Sequence, residues 1–144
     1  MVAAAAEGGG VTLVDGPTGE ARAKRATLMI VDDDPAVLET LELALTWKGY
    51  DVVTAESGEA AASAVRTVDV DLVLTDLRMA EMNGLQTMLA IKALRPNVRV
   101  MIVTGFASAA MEAELREAGA FSIVMKPFAL DELFAAVREA LEAE

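Results

Sequence analysis

The sequence predicts an α/β fold in which helices cover both faces of a parallel β-sheet. From Thr27 onward, short apolar runs alternate with segments of helical period, which is the pattern of β-α-β units. The apolar runs are nearly continuous, as expected for strands buried on both faces, and helix start and stop residues separate them. Five strands and five helices joined by right-handed crossovers therefore form one three-layer, doubly wound sandwich.

Four apolar runs predict buried strands of this sheet. They are Leu28–Val31, Leu72–Leu74, Val100–Val103 and Ile123–Met125. Residues 51–55 predict a further strand between the first two of these runs.

The first helix has clear boundary residues. Asp34 is a suitable N-cap, Pro35 fits the first helical position, and Gly49 ends the helix. Helical spacing predicts a core face of Val37, Leu41, Ala44 and Leu45. Trp47, late in the same helix, is expected at the periphery of the core.

Four further helices follow the other strands. The second begins near Ser57, the third covers Gly84–Leu94, and the fourth covers Ser108–Ala118 and ends at Gly119. The last helix is amphipathic. Its apolar face carries Leu130, Leu133, Phe134, Val137 and Leu141.

Length and composition limit the organisation of the chain. With 144 residues and 54% apolar content, we expect one domain over residues 27–144. Residues 1–26 are rich in Ala and Gly and show no sustained period, so we expect a flexible leader there. No apolar stretch approaches the roughly 18 residues that span a bilayer, which predicts a cytoplasmic protein without a membrane partner.

Charge and residue usage exclude several kinds of chemistry. The chain has no cysteine and no histidine, which leaves carboxylates, hydroxyls, Lys and Arg as its reactive groups. Its formal net charge of -11 repels phosphate backbones, so we expect no direct nucleic-acid partner and favour basic partner surfaces.

Polar side chains stand directly after four of the predicted strands. Asp32 and Asp33, Asp76, Thr104 and Lys126 occupy these positions. Ligands of open α/β sheets bind outside the carboxyl ends of the strands, so these residues predict one pocket. Three carboxylates in one pocket raise each other's pKa unless a cation compensates. Oxygen ligands without His or Cys select a hard ion, and Mg²⁺ is the expected cofactor.

The same pocket suits phosphoryl transfer. A metal ion, Lys126 and the Thr104 hydroxyl together would bind a tetrahedral oxyanion. Asp76 is the best candidate nucleophile, because carboxylates form acyl phosphates and Asp76 ends the central apolar strand. Simpler interpretations remain: the acidic run from Asp32 could be a solvated turn, and Thr104 could bond only to local backbone.

Five motifs resemble the receiver domain of bacterial two-component response regulators, from about Leu28 to Leu141. They are Val31–Pro35, Asp71–Met79, Met82–Leu85, Val103–Gly105 and Lys126–Phe128. The resemblance implies a flavodoxin-like fold with a five-stranded parallel sheet in the order 2-1-3-4-5.

The resemblance also implies roles for the pocket residues. Asp76 would accept a phosphoryl group from a histidine kinase or phosphotransfer protein. Asp33, Asp76 and the backbone carbonyl of Arg78 would hold Mg²⁺, with Asp32 acting through water. Thr104 and Lys126 would hold the phosphoryl group and report it to a surface that binds a downstream protein target. The last helices could also join two copies in a homodimer.

Three positions depart from the family pattern. Ile123 stands where the family usually has an aromatic residue that couples to the threonine, which puts the usual switch readout in doubt. Ala80 replaces a common proline and should loosen its loop. Ala129 precedes the last helix where a Ser, Asn or Asp cap would stabilise it by roughly 1 kcal/mol.

The pocket residues are compatible with three functions to different degrees. The first is a phosphorylation-dependent signalling switch, which catalyses only its own phosphorylation and dephosphorylation. The second is an aspartyl phosphatase of the haloacid-dehalogenase type, but such enzymes need a second Asp two residues after the nucleophile, where this chain has Arg78. The third is a docking module with the receiver fold that never uses phosphate. Whether the chain is a single-domain regulator or a piece of a larger protein stays open.

Overall fold

The computed structural model describes residues 25–143. The predicted leader, residues 1–26, therefore lies outside the described residues except for its last two. Strands and helices alternate from the first element to the last. They are β1 (Thr27–Val31), α1 (Pro35–Trp47), β2 (Asp51–Ala55), α2 (Gly58–Ala64), β3 (Leu72–Thr75), α3 (Gly84–Leu94), β4 (Arg99–Thr104), α4 (Ala109–Ala118), β5 (Ser122–Met125) and α5 (Leu130–Glu142).

The five strands form one parallel sheet in the order β2-β1-β3-β4-β5. The predicted fold class and strand order are confirmed. Residues of β1 are paired on both sides: Val31, for example, lies opposite Ala55 of β2 and Thr75 of β3. All carboxyl ends of the strands consequently lie at one edge of the sheet.

Two hydrophobic clusters fill the space between the sheet and its helices. On one face, Met29, Val73 and Ile102 pack against Met88 and Leu115, which come from α3 and α4. On the other face, side chains of α1 and α5 pack against the alternate residues of the same strands. β1, β3 and β4 are thus buried on both faces, as their apolar runs predict.

The structure corrects three expectations about burial. In α1, Leu38 takes the buried place expected for Val37, which is only partly buried beside Ala44. Trp47 is 80% exposed rather than peripheral to the core, because it lies two residues after buried Leu45 and so points away from the sheet. β5 is an edge strand in which only Val124 is fully buried.

The last helix buries a face slightly different from the predicted one. Leu133, Phe134 and Val137 are buried as expected, together with Ala140. Leu130, by contrast, is 45% exposed because it is the first residue of α5.

The helix caps follow the sequence signals. Asp34 accepts a hydrogen bond from the Ala36 amide, and Ser57 and Ser108 cap α2 and α4 in the same manner. Ala129 offers α5 no side-chain cap, as predicted. Among residues 25–143, no helix is long and apolar enough to cross a membrane.

Candidate functional site

Backbone hydrogen bonds hold the site residues at the ends of neighbouring strands. The Asp32 amide donates to the Ala55 carbonyl at 3.2 Å, and the Asp76 amide donates to the Val31 carbonyl at 2.9 Å. The Lys126 amide likewise donates to the Thr104 carbonyl at 2.7 Å. The backbone hydrogen bonds between these strands therefore continue one residue past the strand ends, and they fix the backbone position of each functional residue.

Three carboxylates converge at this edge of the sheet. One oxygen from each of Asp32, Asp33 and Asp76 lies within 4.8 Å of the others. Asp32 is buried, Asp76 is partly buried and Asp33 is exposed. A compact set of carboxylate oxygens is the donor chemistry of a hard divalent cation, so these residues could hold a metal ion.

Lys126 supplies a positive charge beside two of the carboxylates. Its Nζ lies 3.5 Å from Asp32 Oδ2 and 3.7 Å from Asp76 Oδ1. Burial nevertheless raises the pKa of Asp76 above its ordinary value, and the charges of Asp32 and Asp33 raise it further. Lys126 and the Leu77 amide lower the same pKa, but they do not cancel the effect of burial. Lys126 alone therefore does not offset the burial of Asp76 and the charges of its two acidic neighbours.

Backbone amides orient the carboxylates. Asp32 Oδ1 accepts from the Asp34 amide, and Asp76 Oδ1 accepts from the Leu77 amide, both at 2.9 Å. Asp33 Oδ2 accepts from the Ala80 amide at 3.2 Å. Proline has no N–H, so the proline that the family commonly has at position 80 could not make this last bond. Ala80 thus ties its loop to an acidic side chain of the site, a restraint that acts against the loosening expected from the loss of proline.

Gly84 lets the chain pass close to the backbone of Asp76. The Gly84 amide donates to the Leu77 carbonyl at 2.8 Å. A Cβ at position 84 would lie 2.8 Å from Leu77 Cα and would also collide with the Asp76 carbonyl oxygen. Asn83 and Gln86 form a capping box at the same point and start α3 there.

Thr104 lies at the site, but its hydroxyl is engaged elsewhere. The residue is 1% exposed, and Oγ1 donates to the Phe106 carbonyl at 3.1 Å. The Phe106 amide donates back to Oγ1 at 3.4 Å. The local bonding that the sequence left open is therefore the one observed, while Asp32, Asp33, Asp76 and Lys126 are brought together as predicted.

A group of acidic side chains beside the site was not predicted from the sequence. A cavity of about 440 Å³ is lined by Asp33 together with Glu56, Glu59 and Glu81. Glu56 directly follows β2, so the rule that located the other site residues also applies to it. It was missed because β2 is not followed by a recognisable motif.

Arg78 lies two residues after Asp76, in the loop between β3 and α3. Its guanidinium carbon is 5.2 Å from the centre of the Phe106 ring. Phe106 is itself 57% exposed. The β3–α3 and β4–α4 loops thus approach each other through these two side chains.

Two solved structures of receiver domains are similar to this chain in fold. A CheY-like response regulator receiver domain protein from Methanospirillum hungatei JF-1 is similar with a TM-score of 0.80 and 28% identity, covering 83% of this chain and 95% of that one. The HemR receiver domain from Leptospira biflexa is similar with a TM-score of 0.78 and 27% identity, covering 83% and 97%.

The family follows from the sequence as well. The response regulator receiver domain model matches residues 28–138, and the chain belongs to this family. It is a family of signalling domains rather than of enzymes that act on metabolites. The resemblance that the five motifs carry is thereby confirmed.

Two curated relatives place the match within longer proteins. The chain is 43% identical over 119 residues to the transcriptional regulatory protein GlrR of Escherichia coli, covering 83% of this chain and 27% of that protein. It is 40% identical over 114 residues to ZraR of the same species, covering 79% and 26%. The chain therefore spans about a quarter of the length of these relatives.

The names of these two relatives limit the expectation that the chain has no nucleic-acid partner. Both relatives are called transcriptional regulators, so that expectation does not extend to a longer protein containing this chain. It concerns only the acidic residues 1–144.

Proposed function

We propose that this receiver domain is a phosphoacceptor of a two-component phosphorelay. Asp76 accepts a phosphoryl group from a histidine kinase or phosphotransfer protein in a Mg²⁺-dependent reaction, and the change alters a surface that binds a downstream protein. One observation carries the proposal: three carboxylates meet within 4.8 Å, and Lys126 faces two of them. This charge arrangement suits a divalent cation and a tetrahedral oxyanion together.

The residues divide the work of binding. Asp33, Asp76 and the backbone carbonyl of Arg78 would hold Mg²⁺, with Asp32 acting through water. The ion would offset the negative charge that an incoming phosphoryl group brings to an acidic pocket. Lys126, already placed against Asp76, would pair with a phosphoryl oxygen. The Thr104 hydroxyl would donate a hydrogen bond to another phosphoryl oxygen once its hydrogen bond to the Phe106 carbonyl is broken.

The transfer itself needs one bond to form and one to break. An Asp76 carboxylate oxygen attacks phosphorus while the phosphorus–nitrogen bond of the donor histidine breaks, and the bonding electron pair stays on the imidazole nitrogen. Attack by water on the resulting acyl phosphate later restores the carboxylate and releases inorganic phosphate. No external metabolite is turned over.

Intact mass after incubation with acetyl phosphate tests this proposal. We expect a phosphoryl adduct on the wild type with Mg²⁺, none with EDTA, and none on Asp76→Asn. Asp71→Asn is a matched control, because Asp71 is an exposed carboxylate at the other end of β3 that accepts from the Thr27 amide. Failure of the wild type to form an adduct, with a cognate kinase as well, contradicts the proposal.

One observation favours the alternative of a docking module that does not use phosphate. Ile123 packs against the buried cluster below α4 and cannot take part in aromatic coupling to Thr104. The mass experiment discriminates between the two, since a docking module forms no adduct. Domain boundaries at residue 27, a cytoplasmic location and a homodimer through α4 and α5 remain predictions that accompany the proposal.

A further inference from the structure

Phe106 contacts both loops that flank the proposed phosphoacceptor. Its backbone exchanges two hydrogen bonds with the Thr104 hydroxyl, at 3.1 and 3.4 Å. Its ring lies 5.2 Å from the guanidinium carbon of Arg78, in the loop that follows Asp76. One residue therefore joins the hydroxyl of one strand end to the loop of the neighbouring strand.

The fold gives no other reason for an aromatic side chain at this position. Phe106 is 57% exposed and belongs to neither hydrophobic cluster of the described residues. Its ring adjoins a cavity of about 380 Å³ that Leu77 and Met111 also line. The ring consequently has open space beside it, and its removal should leave the core intact.

The Thr104 hydroxyl has only one proton to donate. In this structure the proton is directed to the Phe106 carbonyl, so Thr104 can donate to a phosphoryl oxygen only by breaking that bond. The Phe106 carbonyl then loses this partner, which removes one restraint on the backbone at 105–107. A Cβ at Gly105 would meet no atom within 4 Å, so this segment is not held by packing at its first residue.

We propose that Phe106 is a positioning residue that couples the Thr104 hydroxyl to Arg78 across the two loops. Its backbone holds the hydroxyl in the unphosphorylated state, and its ring transmits the loss of that hydrogen bond to the Arg78 side chain. This inference rests on the proposed function, and it assigns the coupling to a residue other than Ile123.

The Nε–Hε signal of Arg78 in NMR spectra of ¹⁵N-labelled protein reports the coupling directly, because an aromatic ring close to the guanidinium shifts it. The experiment compares the wild type with Thr104→Val, Phe106→Leu and the double variant, all in EDTA. We expect Thr104→Val to shift the Arg78 signal in the presence of Phe106. The same substitution should leave the signal unchanged on the Phe106→Leu background.

Arg99 provides a control within the same spectra. Its guanidinium carbon lies 5.4 Å from the Phe121 ring, a matched contact at the opposite end of the sheet. We expect Thr104→Val to leave the Arg99 signal unchanged. An equal shift of the Arg99 and Arg78 signals indicates a general disturbance of the fold and overturns the proposal, as does an unshifted Arg78 signal.

A second stage adds beryllium fluoride, a phosphoryl analogue, to the wild type already saturated with Mg²⁺, and the shift is measured against the sample with Mg²⁺ alone. We expect the Arg78 signal to move in the direction that Thr104→Val produces without the analogue. Movement in the opposite direction refutes the coupling while leaving the proposed function intact. If the analogue does not bind, as judged by unchanged amide signals around Asp76, the proposed function fails and the inference falls with it.

Discussion

Replacement of Gly84 by alanine should destabilise the protein, against the ordinary effect of this substitution in a helix. Gly84 is the first residue of α3, and its amide is bonded to the Leu77 carbonyl at 2.8 Å. An added Cβ would lie 2.8 Å from Leu77 Cα and would collide with the Asp76 carbonyl oxygen. Both obstacles are backbone atoms, so no side-chain rotation can relieve the overlap.

The expected magnitude combines two opposed contributions. Alanine gains up to about 1 kcal/mol over glycine in a helix interior, whereas forced overpacking costs about 1–3 kcal/mol or more. Because the clash is with fixed backbone, we expect a net loss of about 1–3 kcal/mol in the free energy of unfolding. For a domain of this size the corresponding fall in Tm is roughly 4–12 °C.

Urea titrations in EDTA, followed by far-UV circular dichroism, measure the loss. Gly105→Ala is the matched control for stability, since a Cβ there would meet no atom within 4 Å. We expect the control to stay within about 0.5 kcal/mol of the wild type, as surface substitutions usually do. If Gly84→Ala proves as stable as Gly105→Ala, the close approach of α3 to the Asp76 backbone is not what requires glycine.

Three further predictions concern charge and capping. In EDTA at pH 7, Asp76→Asn should raise the free energy of unfolding above that of the wild type, because folding raises the pKa of Asp76 and so disfavours its charged form. In urea titrations this difference should shrink as the pH falls toward 3.8, where the carboxyl of the unfolded chain also becomes protonated. Lys126→Met should lower the free energy of unfolding at pH 7 by about 1–3 kcal/mol, because Asp32 and Asp76 lose the positive charge beside them. Saturating Mg²⁺ should restore part of this loss. Equal free energies of unfolding with and without Lys126 would contradict the ion pairs. Ala129→Ser should add about 1 kcal/mol by capping α5, seen as a higher Tm, and an unchanged Tm means that the new hydroxyl does not reach the helix amides.

Most of the site could be predicted from the positions of polar residues directly after the strands. Parallel strands all end at the same edge of the sheet, whatever the details of packing. Asp32, Asp33, Asp76 and Lys126 meet there for this reason. The direction of the Thr104 hydroxyl could not be predicted in this way, since it depends on a hydrogen bond within its own loop. Side-chain direction at a strand end is a local property, and the fold class does not determine it.

Errors in the helices have a related cause. Helical spacing located the buried stripe of α1 only to within one position, so Leu38 is buried where Val37 was expected. The same uncertainty explains Trp47, which was expected at the periphery of the core although its place on the helix points it to solvent. Composition identifies apolar residues, whereas the exact rotation of a helix on the sheet is set by packing against both neighbours.

The site is divided between the interior and the margin of the sheet. Asp32 and Asp76 follow β1 and β3, which are hydrogen-bonded to strands on both sides. Lys126 follows β5, which pairs only with β4 in the described part of the chain. A transient opening of the β4–β5 pairing would move Lys126 away from the site and leave the carboxylates close together without its positive charge. The time for which Lys126 stays beside the carboxylates is therefore set by the pairing of the edge strand β5. Asp32 and Asp76, in contrast, stay in place for as long as the interior strands β1 and β3 remain paired.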